Sequence, residues 1–387
     1  MSKTIIIIGA GLAGLSAALQ AAENGCNVKL VSSLPSERAQ SVMAEGGINA
    51  ALNTKDENDS PEEHFTDTIK AACGLADPNA VWGMTQAAPE LVHWLLKLGV
   101  KFNMSGYDDV DLRNFGGQKK KRTAFAQSDT GKQIMTAMID AVRRKEASGM
   151  VERFSHHSFL TLRLCGNICC GCVIRDEYSQ ETVELPGDAV IVATGGMHGL
   201  FGNTTGSLSN TGEVTAELFR LGVPLANGEM IQYHPTTVKC GGKRMLISEA
   251  ARGEGGRLFA MKDGKQWYFM EEKYPELGNL MPRDITAREI WKVSHESEVF
   301  LDMTEISEEI ISNKLSGLAD DCMTYLHKDI RKEPVSVLPG IHYFMGGILV
   351  DEQHRTSIQN LYAAGECCAQ YHGANRLGGN SLLGALY

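Results

Sequence analysis

The sequence has no uninterrupted apolar stretch of about 18 residues, the length a helix needs to cross a bilayer, and no charged leader with a small-residue cleavage site ahead of its first apolar run. Neither a membrane span nor a signal peptide is expected. Positive charge is also in short supply: 37 Lys and Arg against 47 Asp and Glu give a net charge of −10, and the only basic block is Lys119 to Arg122. Nucleic acid is therefore not an expected partner. No fixed-period repeat or low-complexity tract occurs, which excludes solenoids and disordered tails. The ten Cys, spread over so long a chain, do not read as a disulfide scaffold and point to a reducing, cytoplasmic setting.

What the chain does have is length and glycine. Its 387 residues, 43% of them hydrophobic, are enough for two or three domains with real cores. Its 41 Gly exceed the usual share of about 7%, as expected where backbone must turn sharply or approach a ligand.

Thr4 to Ile8 is a β-branched, apolar run of the kind that forms a parallel strand buried on both faces. Gly9, Gly11 and Gly14 follow in the G-x-G-x-x-G spacing, then a small-residue helix over Ala13 to Asn24 and a second strand over Asn27 to Val31. Strand, glycine turn, helix and strand within about 30 residues make a dinucleotide-binding unit. Gly9 permits the tight turn, Gly11 lets a pyrophosphate reach the backbone, and Gly14 lets the helix sit close to the strand. The acidic residue that usually ends the second strand is replaced by Ser32 and Ser33.

Further along, a Gly-containing loop over Ser36 to Asn53 leads to a helix with Ser60 as N-cap, Pro61 at its first position and Glu63 at its third. Asn79 to Leu98 reads as another helix. Arg153 to Asp176 reads as a hairpin about Gly166-Asn167, in which Cys165, Cys169, Cys170 and Cys172 are expected to be buried structural thiols, with no metal. Asp188 to Ala193 is an apolar strand running into Thr194-Gly195-Gly196, and Ile358 to Ala364 restores that pattern before Gly365-Glu366. Between them, from about Gly228 to Tyr343, polar turns and Pro-separated helices carry most of the reactive side chains. The expected class is α/β: a Rossmann-like nucleotide-binding domain over 1–228 and 344–387, interrupted by an α+β capping domain over 229–343.

GAGLAGLSAA, AEGGINAAL, VATGG, HPTT, LISEAARGEGG, PRDITAR, HYFMGGI, YAAGE and GANRLGGNSLL occur in an order that resembles the flavoprotein subunits of succinate dehydrogenase and fumarate reductase, with L-aspartate oxidase a close relative. The resemblance implies FAD. On it, Gly9, Gly11, Ala13 and Gly14 would face the pyrophosphate and Ser32 the adenosine ribose, while Ala44, Gly46 and Gly47 would pass along the isoalloxazine. Ala193, Thr194, Gly195, Glu213 and Glu366 would complete the cradle, and Ser381 and Leu382 would offer N–H groups to the ring. Where these enzymes commonly carry a flavin-linking His, this sequence has Gln40, so FAD is expected to be bound without a covalent link.

The resemblance also implies a dicarboxylate held by His234, Ser248, His342 and Arg376, bordered by Phe115 and Gln118. Arg283 would deliver the proton, with Glu249 and Arg252 refilling it; these two, three residues apart, would share one helical turn. The reaction implied is fumarate–succinate interconversion, tilted toward fumarate reduction. Aspartate oxidases typically place Glu at the position of Phe115, which disfavours an amino-acid substrate, and a truncated flavin-binding fragment without activity is the remaining alternative. The helical C-terminal domain of such proteins is expected to be absent. Any iron–sulfur cluster would sit on another chain, since no cluster-like Cys run is read here, and membrane association would come through a partner subunit.

Overall fold

The computed structural model describes residues 2–387. Thr4–Ile8 forms the expected strand, with Ile6, Ile7 and Ile8 buried, and it lies at the centre of a five-stranded parallel sheet. The strand order is Leu361–Ala363, Ala189–Val192, Thr4–Ile8, Asn27–Ser32 and Val151–Ser155. Because the chain's next strand lies on one side of Thr4–Ile8 and a much later one on the other, the carboxyl ends of these strands open onto a crevice.

The turn out of the first strand is set by its glycines. Gly9 has φ 113° and donates to Val31 O at 2.8 Å, and a Cβ there would collide with Ala193 O. A Cβ on Gly14 would collide with Gly9 O, whereas one on Gly11 would meet nothing nearer than Ser41 Oγ at 3.8 Å. Gly9 and Gly14 are thus demanded by the fold, while Gly11 leaves room toward the crevice. The helix that follows, Leu12–Glu23, buries Leu12, Leu15, Ala18, Leu19 and Ala22 on one side. Each large apolar side chain so buried contributes roughly 1.5–3 kcal/mol.

The cap at Ser60 forms as expected, its Oγ accepting from Glu63 N at 3.2 Å at the start of helix Pro61–Ala71. Helix Pro78–Leu98 follows, one residue longer than expected and capped by Asp77. Within the basic block Lys119 and Lys121 are exposed, whereas Arg122 is buried and bridges Asp59 and Asp67, each at 2.9 Å, because strand Thr123–Ala124 draws it inward.

The hairpin runs over His157–Cys165 and Ile168–Asp176, with a third strand at Thr182–Pro186, while Val151–Ser155 belongs to the parallel sheet. Its cysteines divide. Cys169 and Cys172 stand three residues apart, on either side of the bulge, and are buried in the core below the parallel sheet, but Cys165 is exposed and Cys170 half-buried. The expectation of four buried thiols is corrected: alternation along the strand, interrupted by a bulge, turns one pair inward and the other out.

From Ile231 onward a three-stranded antiparallel sheet, ordered Lys243–Leu246, Ile231–Cys240 and Leu338–Phe344, packs beside a four-stranded one containing Arg257–Lys262 and Val299–Asp302. A separate hydrophobic cluster, including Ile247, Leu258, Phe269, Ile290 and Leu301, forms there, and Phe115 reaches across to join it. No helix among the described residues is long and apolar enough to cross a membrane.

Candidate active site

A cavity of about 320 Å³ lies at the carboxyl ends of the parallel strands and runs on beneath the second cluster. One arm is lined by Gly9, Gly11, Ala13, Ser32, Ala44, Gly46 and Gly47, together with Ala193, Thr194, Gly195, Glu213, Glu366, Ser381 and Leu382. The other is lined by Phe115, His234, Ser248, Glu249, Arg283, His342 and Arg376. The sequence-derived residues therefore converge on one space. Gly14, Arg252 and Gln118 do not line it: Gly14 packs under the glycine turn, Arg252 stands behind Glu249, and Gln118 donates to Gly378 O at 2.8 Å.

The first arm fits a dinucleotide. Gly11 leaves open backbone at the start of a helix, where N–H groups have no intrahelical acceptors. Ser32 Oγ is buried with no partner, a donor left over for a ligand hydroxyl. Ser381 and Leu382 are in the first turn of helix Asn380–Leu386, so their N–H groups are free to face the cavity. Gly46 is required because a Cβ would meet the Phe115 ring at 2.7 Å. Glu366 is held by Phe344 N at 3.0 Å and by His198 Nε2 at 3.1 Å, and His198 Nδ1 is met in turn by Thr204 Oγ1 at 2.8 Å.

The second arm is organised around Glu249. Its Oε2 accepts from Arg283 Nε at 2.8 Å and Nη2 at 2.7 Å, and its Oε1 accepts from Gly116 N at 3.0 Å and lies 3.4 Å from Arg252 Nη2. Glu249 and Arg252 do share a short helix, Glu249–Gly253, capped by Ser248. Burial pushes the Glu249 carboxyl up, but the two guanidinium groups outweigh it and hold the pKa below the usual carboxylate range. Burial lowers the pKa of Arg252, and that of Arg376 to about 9, the charge of Arg283 adding to the effect in both.

Arg376 stands out by its lack of an anion. It is buried, packs over the Tyr343 ring at 4.3 Å and among the described residues donates only to Leu377 O at 3.4 Å, with its Nε buried and unpartnered there. His234 and His342 approach edge-on, ring centres 5.0 Å apart. Burial first, and then Arg283, hold both well below their ordinary pKa, so both rings are neutral. His342 Nδ1 meets Thr205 Oγ1 at 2.8 Å, which leaves its other nitrogen for the cavity.

Sequence reasoning missed Gln232. Its Oε1 accepts from Arg283 Nη1 at 3.1 Å while its Nε2 donates to Arg376 O at 2.7 Å and to Asn375 Oδ1 at 3.0 Å, tying the two arginines into one frame. Its place two residues before His234, on the same face of strand Ile231–Cys240, is the signal that could have revealed it. His198, Thr204 and Thr205 were likewise missed, and no local motif marks them.

A family model for the FAD binding domain matches residues 4–382. The succinate dehydrogenase flavoprotein subunit of Bacillus subtilis is 44% identical over all of the chain and 67% of its own length. This chain belongs to the succinate dehydrogenase and fumarate reductase flavoprotein family. It binds FAD, and the first arm of the cavity fits that group. An L-aspartate oxidase from Streptomyces coelicolor is 34% identical over the same shares, 100% and 67%. The solved structure of an E. coli quinol fumarate reductase superposes with a TM-score of 0.91 at 30% identity, covering all of this chain and 68% of that one. The chain thus spans about two thirds of the length of these relatives.

Proposed function

We propose that this flavoprotein interconverts fumarate and succinate, working chiefly as a fumarate reductase. The observation that carries the reading is Arg376: a buried cation without a carboxylate, facing the same cavity as Arg283, His234 and His342. A buried charge left uncompensated costs several kcal/mol, so an anionic ligand is expected to supply the missing partner. Two cationic centres and two neutral imidazoles suit a small dicarboxylate with a charge at each end.

FAD, when bound, supplies the hydride donor and acceptor. The protein's part is to hold the acid and to manage a proton. Arg376 grips one carboxylate by its planar fork, and His234, Ser248 and His342 offer hydrogen bonds to the other. Arg283 donates the proton to the alkene carbon. A guanidinium is an unfavourable acid, but this one is fixed through Nε and Nη2 against the Glu249 carboxylate, which orients it and places the group that would return its proton within hydrogen-bond reach. Glu249 then relays the replacement from Arg252.

We further read 229–343 as a unit capping the cavity, Gln40 as leaving FAD dissociable, and an iron–sulfur protein on another chain as the electron partner. L-aspartate oxidase is the second reading, favoured by the similarity to such enzymes. Phe115 opposes it, since its ring would face a substrate ammonium with no anion. The test is Arg283→Ala in the FAD-loaded protein. Fumarate reduction by reduced viologen is expected to fall by about 10³ or more, with the flavin spectrum retained. Turnover near that of the wild type would reject the proton route.

A further inference from the structure

We propose that Cys165 and Cys170 form a two-electron oxidation site that reacts with a hydroperoxide and closes to an intramolecular disulfide. The two residues flank the hairpin turn at Gly166-Asn167. The ladder shifts register between Arg163 and Leu164, pairing them with Gly171 and Cys169, so Cys170 is the extra residue of a bulge and leaves the inward alternation of its neighbours. Its sulfur lies 2.8 Å from that of Cys165, closer than two sulfurs usually approach without a bond and about 0.8 Å beyond a disulfide bond length of about 2.0 Å.

The neighbouring thiols are excluded by burial. Cys169 and Cys172 are 1% and 0% exposed and belong to the core. Cys165 is exposed, so it meets the oxidant. Cys170 is half-buried, bonded to Cys165 and to Arg163 O at 3.3 Å, and its pKa is raised, first by the hydrogen bond with Cys165.

The steps balance. The Cys165 thiol gives up its proton as its sulfur attacks one peroxide oxygen, the O–O bond breaks, and that proton leaves on the departing oxygen as water, or as an alcohol from an organic hydroperoxide, with a sulfenic acid left on Cys165. The Cys170 sulfur then attacks the sulfenic sulfur, the S–O bond breaks, and water departs as the S–S bond forms. Two thiols are oxidised and one peroxide is reduced.

The hairpin tip is held against the segment before strand Leu361–Ala363 by Cys169 N to Gln359 O at 2.8 Å, Gln359 N to Asn167 O at 3.1 Å and Asn167 Nδ2 to Ser357 O at 3.2 Å. The sulfurs are therefore kept adjacent by the fold. Neither residue lines the substrate cavity.

The experiment treats the FAD-loaded full chain with hydrogen peroxide, alkylates the remaining thiols, and fragments the peptide spanning residues 164–175. The expected result is joint loss of two alkylatable thiols, a 165–170 disulfide, and recovery with dithiothreitol. Cys165→Ser and Cys170→Ser are each expected to abolish the disulfide while keeping flavin and fumarate turnover, and Cys170→Ser to accumulate a dimedone-reactive sulfenic acid at Cys165. Cys169→Ser is expected to keep the disulfide. Thiols 165 and 170 that stay alkylatable while other cysteines oxidise, or a bridge that forms to Cys169 instead, would overturn the proposal.

Discussion

At the scale of single residues, the ion-pair cluster bears on stability and, in the proposed mechanism, on proton delivery. Glu249 compensates Arg283 and Arg252 in a site that excludes water, so Glu249→Gln leaves two buried cations with less than they need. Breaking such a pair costs roughly 3–5 kcal/mol. We expect a lower melting temperature by calorimetry and near-complete loss of turnover; an unchanged melting temperature would contradict the ion-pair account. Gln40 makes a separate prediction. An amide has no nucleophile to bond the flavin, so acid precipitation is expected to release the yellow colour into the supernatant, and colour retained in the pellet would refute dissociable binding. The side chains proposed for catalysis were legible because each sits in a short motif. Gln232, His198 and Thr205 were not, since their roles come from hydrogen bonds to residues 51 to 168 positions away.

At the scale of elements, the glycine turn separates fold from ligand. Gly9→Ala would drive a Cβ into Ala193 O at a backbone φ of 113° and is expected to prevent soluble expression. Gly11→Ala meets nothing closer than 3.8 Å and is expected to fold while losing FAD affinity by at least about tenfold (about 1.4 kcal/mol). Comparing circular dichroism and flavin content of the two proteins checks this; equal flavin content in Gly11→Ala and wild type would remove Gly11 from the phosphate site. The strand–turn–helix–strand unit was readable to within a residue because periodicity and turn chemistry agree there. The hairpin cysteines were misjudged because a bulge cannot be seen in a strand's alternation.

At the scale of the whole molecule, pH dependence follows from its buried histidines. His64 is lowered to about 3, and His234, His342 and His372 fall well below their ordinary value, burial being the first cause in each. A His whose folded pKa is depressed binds fewer protons folded than unfolded once the pH drops below the unfolded value of about 6.5. Stability is therefore complete above about pH 6.5 and lost as the pH falls, each group removing up to about 1.4 kcal/mol per pH unit. Glu45 works oppositely: its pKa, raised to about 8 by burial and then by Asp321 and Asp129, makes stability decline as the pH climbs from about 4.5 to about 8. Four histidines outweigh one glutamate, so denaturant midpoints are expected to fall steadily between pH 6.5 and 5. A flat profile would mean these rings are solvated.

The central claim is that a buried Arg376 without a carboxylate, in the cavity shared with FAD, selects a four-carbon dianion. The most direct measurement supplies the FAD-loaded protein in parallel with fumarate plus reduced viologen and with aspartate plus oxygen. We predict fumarate-dependent viologen oxidation that collapses in Arg376→Gln, with no peroxide from aspartate. Peroxide formed from aspartate, with viologen left reduced in the presence of fumarate, would contradict it.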